Sequence, residues 1–165
     1  MNKIVVYSIF LLFQINGVSL AHDISYEKFY LDDCLSNVIK IIKNNYGAFK
    51  IKNRKDKYLG SWLIKLEKEN KTITLSFDIK NSVLYGILVQ QRNISENEFS
   101  NLLSHYLKKY GPPIRDKTYD IKKDLYFPNY KWNFDNKYSI SIVFIENSIE
   151  IIILNSEIQN NILDN

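Results

Sequence analysis

Three side chains in this sequence could support catalytic chemistry: the single cysteine, Cys34, and the two histidines, His22 and His105. A cysteine beside a histidine can act as a nucleophile, because the imidazole takes up the thiol proton. A histidine at a mature N-terminus offers its amine and its imidazole together, and with a second histidine it can chelate Cu(II). Both arrangements require His105, which lies outside the apolar stripe of its helix and is therefore expected to face solvent.

The sequence lacks the short motifs of several large enzyme classes. It contains no glycine-rich phosphate loop, no G-x-S-x-G and no H-E-x-x-H. One cysteine and two histidines are also too few for a zinc site of the usual composition. We therefore expect no catalytic residues, no metal site and no cofactor. The alternative is a metal- or cysteine-dependent secreted enzyme that uses His22, His105 and Cys34.

The first 21 residues have the pattern of a secretory signal peptide. Lys3 gives a positive start, residues 4–13 are mostly apolar, and Ser19 and Ala21 are small residues before a cleavage site. An apolar run of this length is too short to span a membrane. The sequence thus predicts a mature chain of residues 22–165, periplasmic or secreted, with no transmembrane span after cleavage.

Length and composition fit one folded domain. The chain has 165 residues, a net charge of +4 and one cysteine. This charge is well below that of typical nucleic-acid-binding domains, so no nucleic-acid partner is expected. Without an internal disulfide the fold must rest on its hydrophobic core. We expect Cys34 to be buried there, since free cysteine is among the most buried residue types, with an intermolecular disulfide as the alternative.

The clearest element is a helix over residues 95–110. Ser95 and Glu98 have the spacing of a capping box, and Ile94 and Phe99 have that of a hydrophobic staple. Gly111, followed by two prolines, ends the helix. Its apolar residues recur at the spacing of one helical face: Phe99, Leu102, Leu103, Tyr106, Leu107 and Tyr110.

A second helix is predicted over residues 32–46, and it also ends in Tyr-Gly. Each helix is followed by strand-like segments, the first of which contains a tryptophan, Trp62 or Trp132. These patterns predict an α+β fold, an antiparallel sheet with two helices on one face. The order also indicates two helix-plus-three-strand repeats, at about residues 31–91 and 94–155, with a polar tail over residues 156–165. The alternative is a single α+β unit without internal repetition.

The order of elements, the Tyr-Gly helix ends and the tryptophan-led strands resemble some small exported bacterial domains. The similar families are the β-lactamase-inhibitor-protein-like fold and the small outer-membrane-assembly lipoprotein domain, although this chain lacks the anchoring cysteine of the lipoprotein. The resemblance covers most of residues 31–154. It implies protein binding through the sheet or its loops.

Residues 48–58 are rich in basic side chains, namely Lys50, Lys52, Arg54, Lys55 and Lys57. One interpretation is a patch that binds an anionic envelope surface or an acidic partner. The other is an edge strand that its lysines protect from aggregation. A second charged stretch, residues 114–125, is predicted to be irregular.

The aromatic side chains offer a further binding surface. Trp62 and Trp132 are predicted to be equivalent core residues of the two halves. Tyr126, Phe127 and Tyr130 are predicted to lie in a loop and to contact a partner, since loops on a rigid scaffold commonly carry function.

Together these patterns predict an exported, non-catalytic protein-binding domain of inhibitor, toxin-neutralising or envelope-accessory type. Its expected partner is another protein. One alternative is the secreted enzyme described above, and the other is a binder of anionic surfaces through residues 50–57.

Overall fold

The computed structural model of the protein describes residues 24–56, 61–120 and 124–163, and the predicted signal peptide lies outside them. The described chain forms these elements in order: β1 (Ser25–Tyr26), β2 (Phe29–Tyr30), α1 (Leu35–Asn45), β3 (Lys50–Asp56), β4 (Ser61–Lys68), β5 (Lys71–Asp78), β6 (Leu84–Arg92), α2 (Glu96–Tyr110), β7 (Ile114–Asp120), β8 (Leu125–Phe134), β9 (Tyr138–Ile145), β10 (Ser148–Asn155) and α3 (Ser156–Leu163).

Eight of these strands form one antiparallel sheet in the order β3-β4-β5-β6-β10-β9-β8-β7, and β1 and β2 form a separate hairpin. The predicted α+β class with a large antiparallel sheet is therefore confirmed. Each half of the chain consists of a helix followed by four strands. The halves meet at the centre of the sheet, where β6 pairs with β10.

Each half has one strand more than the three of the predicted repeat, and the edge strand offered as one interpretation of residues 48–58 is confirmed as β3. The additional strands, β3 and β7, are the two edges of the sheet. The predicted irregular segment at residues 114–125 is wrong, because most of it is β7 and the start of β8. An edge strand pairs with a neighbour on one side only, and it tolerates charged side chains. The sequence of such a strand therefore lacks the regular alternation of apolar residues by which strands are predicted.

A third helix replaces much of the predicted polar tail. The helix α3 contacts β6, β9 and β10 near the end of β10. The side-chain oxygen of Asn155 accepts a hydrogen bond from the backbone N–H of Ile158, and its amide donates to Asp32 at 2.9 Å. The described part of the tail is thus attached to the segment that precedes α1.

The core lies between one face of the sheet, called the core face below, and the apolar stripes of α1 and α2. Alternate residues of β4, β5, β6, β8, β9 and β10 contribute to it, together with the buried stripe residues of both helices. Phe99 stacks on Phe144 with ring centroids 4.6 Å apart, and Tyr106 lies 5.9 Å from Trp132. Both contacts place α2 over β8 and β9.

The helix α2 has the ends that the sequence predicts. The hydroxyl of Ser95 accepts a hydrogen bond from the N–H of Glu98 at 3.3 Å, and the Glu98 carboxylate accepts one from the N–H of Ser95 at 2.8 Å. Gly111 follows the last turn with a φ of +77°, which other residues rarely adopt. The predicted capping box and terminal glycine are confirmed.

The two tryptophans differ, contrary to the prediction of equivalent core positions. Trp132 is 4 % exposed, and its Nε1–H donates to the carbonyl of Gly111 at 2.9 Å. Trp62 is 39 % exposed. It is the second residue of β4 and pairs with Lys55 at a corner of the sheet, whereas Trp132 lies in contact with α2.

The β1–β2 hairpin belongs to the core of the protein. Ile24, Phe29 and Leu31 are buried, and the ring of Phe29 stacks on Tyr46 at 5.0 Å between centroids. Because Tyr46 follows the last turn of α1, this stack joins the hairpin to the end of that helix. The N-terminal part of the described chain is therefore required for complete packing on the core face.

Glu27, between the two hairpin strands, links the hairpin to the sheet. Its carboxylate accepts hydrogen bonds from the hydroxyl of Tyr46 and from the ammonium group of Lys71. Partial burial would raise the pKa of Glu27, but the hydrogen bonds from Lys71 and Tyr46 outweigh it and hold the pKa below the ordinary value. Burial and the neighbouring Glu27 carboxylate raise the pKa of Tyr46.

This linkage predicts a loss of stability in acid. Because the pKa of Glu27 is lower in the folded state than in the unfolded state, its contribution is complete above the unfolded value and disappears as the pH falls through the folded value. Glu27→Gln should lower the free energy of unfolding at neutral pH and make its decline below about pH 5 less steep. Urea unfolding at a series of pH values measures both effects. Glu157→Gln is the control, because among the described residues its carboxylate makes only a solvent-exposed ion pair, with Lys137 at 3.6 Å, and such pairs contribute little to stability. Equal slopes for Glu27→Gln and the unmodified protein would contradict the linkage.

Candidate functional site

The side of the sheet opposite the core face is called the open face, and its side chains alternate with the core residues along each strand. The strand register aligns them in rows that cross the sheet. One row consists of Lys50, Glu67, Thr72, Gln90, Glu150, Val143, Asn129 and Asp116. The next consists of Lys52, Lys65, Thr74, Leu88, Ile152, Ser141, Lys131 and Ile114. The open face is thus mostly polar.

Positive charge is concentrated where these rows cross β3 and β4. Lys52 and Lys65 are directly opposite each other, and like charges repel in this arrangement. The carboxylate of Glu67 contacts both ammonium groups at 2.7 Å. The hydrogen bonds from Lys52 and Lys65 lower the pKa of Glu67 to about 2. Two ammonium groups share one carboxylate, so this part of the open face retains positive charge.

A groove of about 560 Å³ lies on the open face, at the end of the sheet away from α3. The turns between β4 and β5 and between β9 and β10 border it. Its lining is mainly polar and includes Lys50, Lys65, Thr72, Gln90, Arg92 and Ser148. Lys50 and Arg92 make no ion pair with any described residue. These two cations remain available to a ligand.

The second half of the open face has less charge. The amide group of Asn129 donates to the hydroxyl of Thr118 at 3.0 Å, and its oxygen accepts a hydrogen bond from Ser141 at 2.7 Å. At the centre of the sheet Leu88 and Ile152 lie opposite each other, and both are partly exposed. The open face therefore combines an aliphatic centre with polar surroundings.

The predicted basic stretch is β3, and its side chains divide between the two faces. Lys50, Lys52 and Arg54 share the open face, whereas Lys55 pairs with Trp62 and belongs to the other face. The described basic residues of this stretch therefore do not form one continuous patch, and Lys57 lies outside the described residues. The structure places three of the four predicted basic binding residues on one face, and of these Lys50 lines the groove.

The predicted aromatic loop is also part of a strand. Tyr126, Phe127 and Tyr130 lie in β8, so the prediction of a loop is wrong. Tyr126 is 66 % exposed. Tyr130 is half-buried on the core face, 5.9 Å from Phe99, and Phe127 is on the opposite face. Since adjacent residues of a strand point to opposite sides, these three rings do not form one surface.

Sequence reasoning missed the central part of the groove. Gln90, Arg92, Ser148 and Glu150 lie at the paired ends of β6 and β10, and Gln90 donates to Glu150 at 3.1 Å. Their strands were recognisable, and alternation along each strand would have assigned them to one face. The sequence contains no signal that β6 pairs with β10, which is what brings the four residues together.

The structure does not bring the predicted nucleophile and base together. Cys34 is exposed, contrary to the predicted burial, and it occupies the N-cap position of α1 without a side-chain capping hydrogen bond. Its thiol lies 3.1 Å from the hydroxyl of Ser36, and this hydrogen bond lowers the pKa of the thiol. His105 is exposed on α2, with its ring edge-on to Tyr106 at 6.0 Å. His22 lies outside the described residues.

Within the described ranges no three His, Cys, Asp or Glu side chains are grouped closely enough to hold a metal ion. In the same ranges no helix is both long enough and apolar enough to cross a membrane. Comparison of the chain with protein-family models, with curated proteins and with solved structures finds no match.

Proposed function

We propose that the protein is an exported, non-catalytic domain that binds another protein through the open face of its sheet. The main support is the contrast between the two faces of the sheet. The core face is covered by α1, α2 and the hairpin, whereas the open face presents a groove and partly exposed aliphatic side chains. An apolar centre with a polar rim is the usual composition of protein interfaces.

The N-terminal sequence supports export, since residues 1–21 have the charge, length and small residues of a cleavable signal peptide. The resemblance to small exported bacterial domains supports the same location and the same mode of action. Inhibitor, toxin-neutralising and envelope-accessory roles are all forms of this function. They share a binding surface and need no catalytic group.

Photocrosslinking in the native host tests this function. Thr74 and Ser141 on the open face, and Ser104 on the exposed side of α2, are each replaced by the photoreactive residue benzoylphenylalanine. We expect one adduct of defined mass from Thr74 and Ser141, which excess unmodified protein abolishes, and no such adduct from Ser104. A bound protein lies within reach of a photoreactive residue only on the face that it contacts. Adduct formation therefore identifies the binding face.

Two results would contradict the proposal. Folded protein that gives no specific adduct at Thr74 or Ser141, or the same adduct at Ser104, would exclude the open face as the binding surface. N-terminal sequencing of the protein recovered from the envelope or the medium tests export separately. A chain that retains residues 1–21 in the cytoplasm would contradict it.

A further inference from the structure

We propose that the groove on the open face binds an extended acidic segment of the partner, and that Lys50 and Arg92 each bind one of its carboxylates. This inference rests on the proposed protein-binding function and specifies the chemistry of the partner.

The charge of β3 and β4 is the first argument. Lys52 and Lys65 share a single counter-ion, Glu67, and Lys50 lies beside them in the adjoining row without an ion pair to any described residue. Carboxylates brought by a ligand would reduce the repulsion among these three cations. The electrostatics of this region therefore favour an acidic ligand over a neutral or a basic one.

The positions of Lys50 and Arg92, which pair with no acidic group among the described residues, are the second argument. Lys50 is on β3, and Arg92 is three strands away on β6 and one row nearer the end of the sheet. With strands about 4.8 Å apart and residues about 3.3 Å apart, their Cα atoms are separated by about 16 Å. An extended peptide covers this distance in about four to five residues. The groove therefore suits two acidic residues that are separated in sequence, not adjacent.

The remaining lining of the groove suits a peptide backbone. Thr72 lies on β5, between the strands of the two cations, and Gln90 and Ser148 flank Arg92 on β6 and β10. These three residues supply hydroxyl and amide groups, which can donate to carbonyls and accept from N–H groups. The acidic residues Glu67, Glu69 and Glu150 also line the groove. A continuous anionic surface, such as a membrane, would meet these carboxylates, whereas a single segment can place its charges between them.

Fluorescence anisotropy with labelled peptides tests the inference. The probes are twelve-residue peptides of glycine and serine that contain two glutamates four residues apart, two adjacent glutamates, or two lysines four residues apart. We expect the peptide with separated glutamates to bind most tightly and the lysine peptide not to bind. Lys50→Glu/Arg92→Glu should weaken its binding at least about tenfold, since both contacts become repulsive.

Two further variants sharpen the test. Lys40→Glu/Lys43→Glu makes the same charge change on the exposed side of α1 and should leave binding within about twofold, because charges beyond a Debye length are screened. Glu67→Gln removes the internal counter-ion and should tighten binding of the glutamate peptide. Circular dichroism verifies that each variant is folded, and Lys50→Gln/Arg92→Gln replaces the charge reversal if that variant does not fold.

Several outcomes would overturn the inference. These are unchanged binding of the separated-glutamate peptide in the Lys50/Arg92 variants, equal weakening in the α1 control, or equal affinity for the lysine peptide. Equal binding of both glutamate peptides and of anionic vesicles, in every variant, would instead indicate a general anionic-surface binder. If the peptide results fail while Thr74 and Ser141 still crosslink, protein binding stands and only the acidic segment is excluded.

Discussion

Trp132→Ala is expected to lower the free energy of unfolding by about 3–5 kcal/mol, the usual cost of removing a buried tryptophan. The substitution would leave a cavity in contact with α2, where Trp132 now lies against Tyr106. It would also remove the donor to the Gly111 carbonyl, which accepts from the indole at 2.9 Å. Urea unfolding followed by circular dichroism measures the effect without relying on tryptophan fluorescence.

Trp62→Ala provides a matched control, because the sequence predicts the same role for both tryptophans. Trp62 is 39 % exposed against 4 % for Trp132, so its removal loses much less buried area. We expect it to cost less than about half as much as Trp132→Ala. Equal losses for the two variants would mean that Trp62 is packed as fully as Trp132, and the difference between the halves would be refuted.

Phe29→Ala should destabilise the protein by a similar amount, about 3–5 kcal/mol, and lower the melting temperature by about 10 °C or more. Phe29 is fully buried and stacks on Tyr46, so its loss would separate the hairpin from the end of α1. The adjacent residue, Tyr30, is 39 % exposed and serves as the control. Thermal unfolding of the mature chain compares the two variants.

Tyr30→Ala is expected to cost less than about 1 kcal/mol, as is usual for an exposed side chain. If Phe29→Ala were as mild as Tyr30→Ala, the hairpin would be a peripheral addition and not part of the core. If both variants were severe, the exposed position of Tyr30 would be contradicted.

Much of the fold could be predicted from local patterns. The helix α2 is specified by residues within its own span, from the Ser95–Glu98 cap to Gly111, and its ends agree with the prediction. The strands β5 and β9 also follow from the alternation of polar and apolar residues. These signals arise because each element buries one face, so apolar residues recur along its sequence at a regular spacing.

The missed elements have a different physical basis. At the sheet edges the requirement for apolar side chains is weak, so the sequence of β7 predicts an irregular stretch and that of β3 permits both a basic patch and an edge strand. The burial of Trp132 and the exposure of Trp62 and Cys34 depend on which other parts of the folded chain cover each position. None of these properties can be inferred from the spacing of apolar residues within a single segment.

The candidate site was only partly predictable for the same reason. The basic residues of β3 are visible in the sequence, but the partners that complete the groove are not. Arg92 and Ser148 become neighbours only through the β6–β10 register, which joins positions more than fifty residues apart. Local periodicity assigns a side chain to a face, but it does not determine which distant strand lies beside it.

The β6–β10 pairing also has a consequence for the order of folding. Because β10 is the last strand of the sheet, β6 has a neighbour on only one side until nearly the whole chain is present. The other strand pairs of this sheet join consecutive strands, so the β6–β10 pairing is its one long-range step, and folding steps that depend on distant contacts are slow. During that interval the apolar edge of β6 can pair with other chains. The lysines of β3 protect the outer edge of the first half from pairing with other chains. The inner edge of that half, β6, is protected only when β10 has been synthesised and has paired with it.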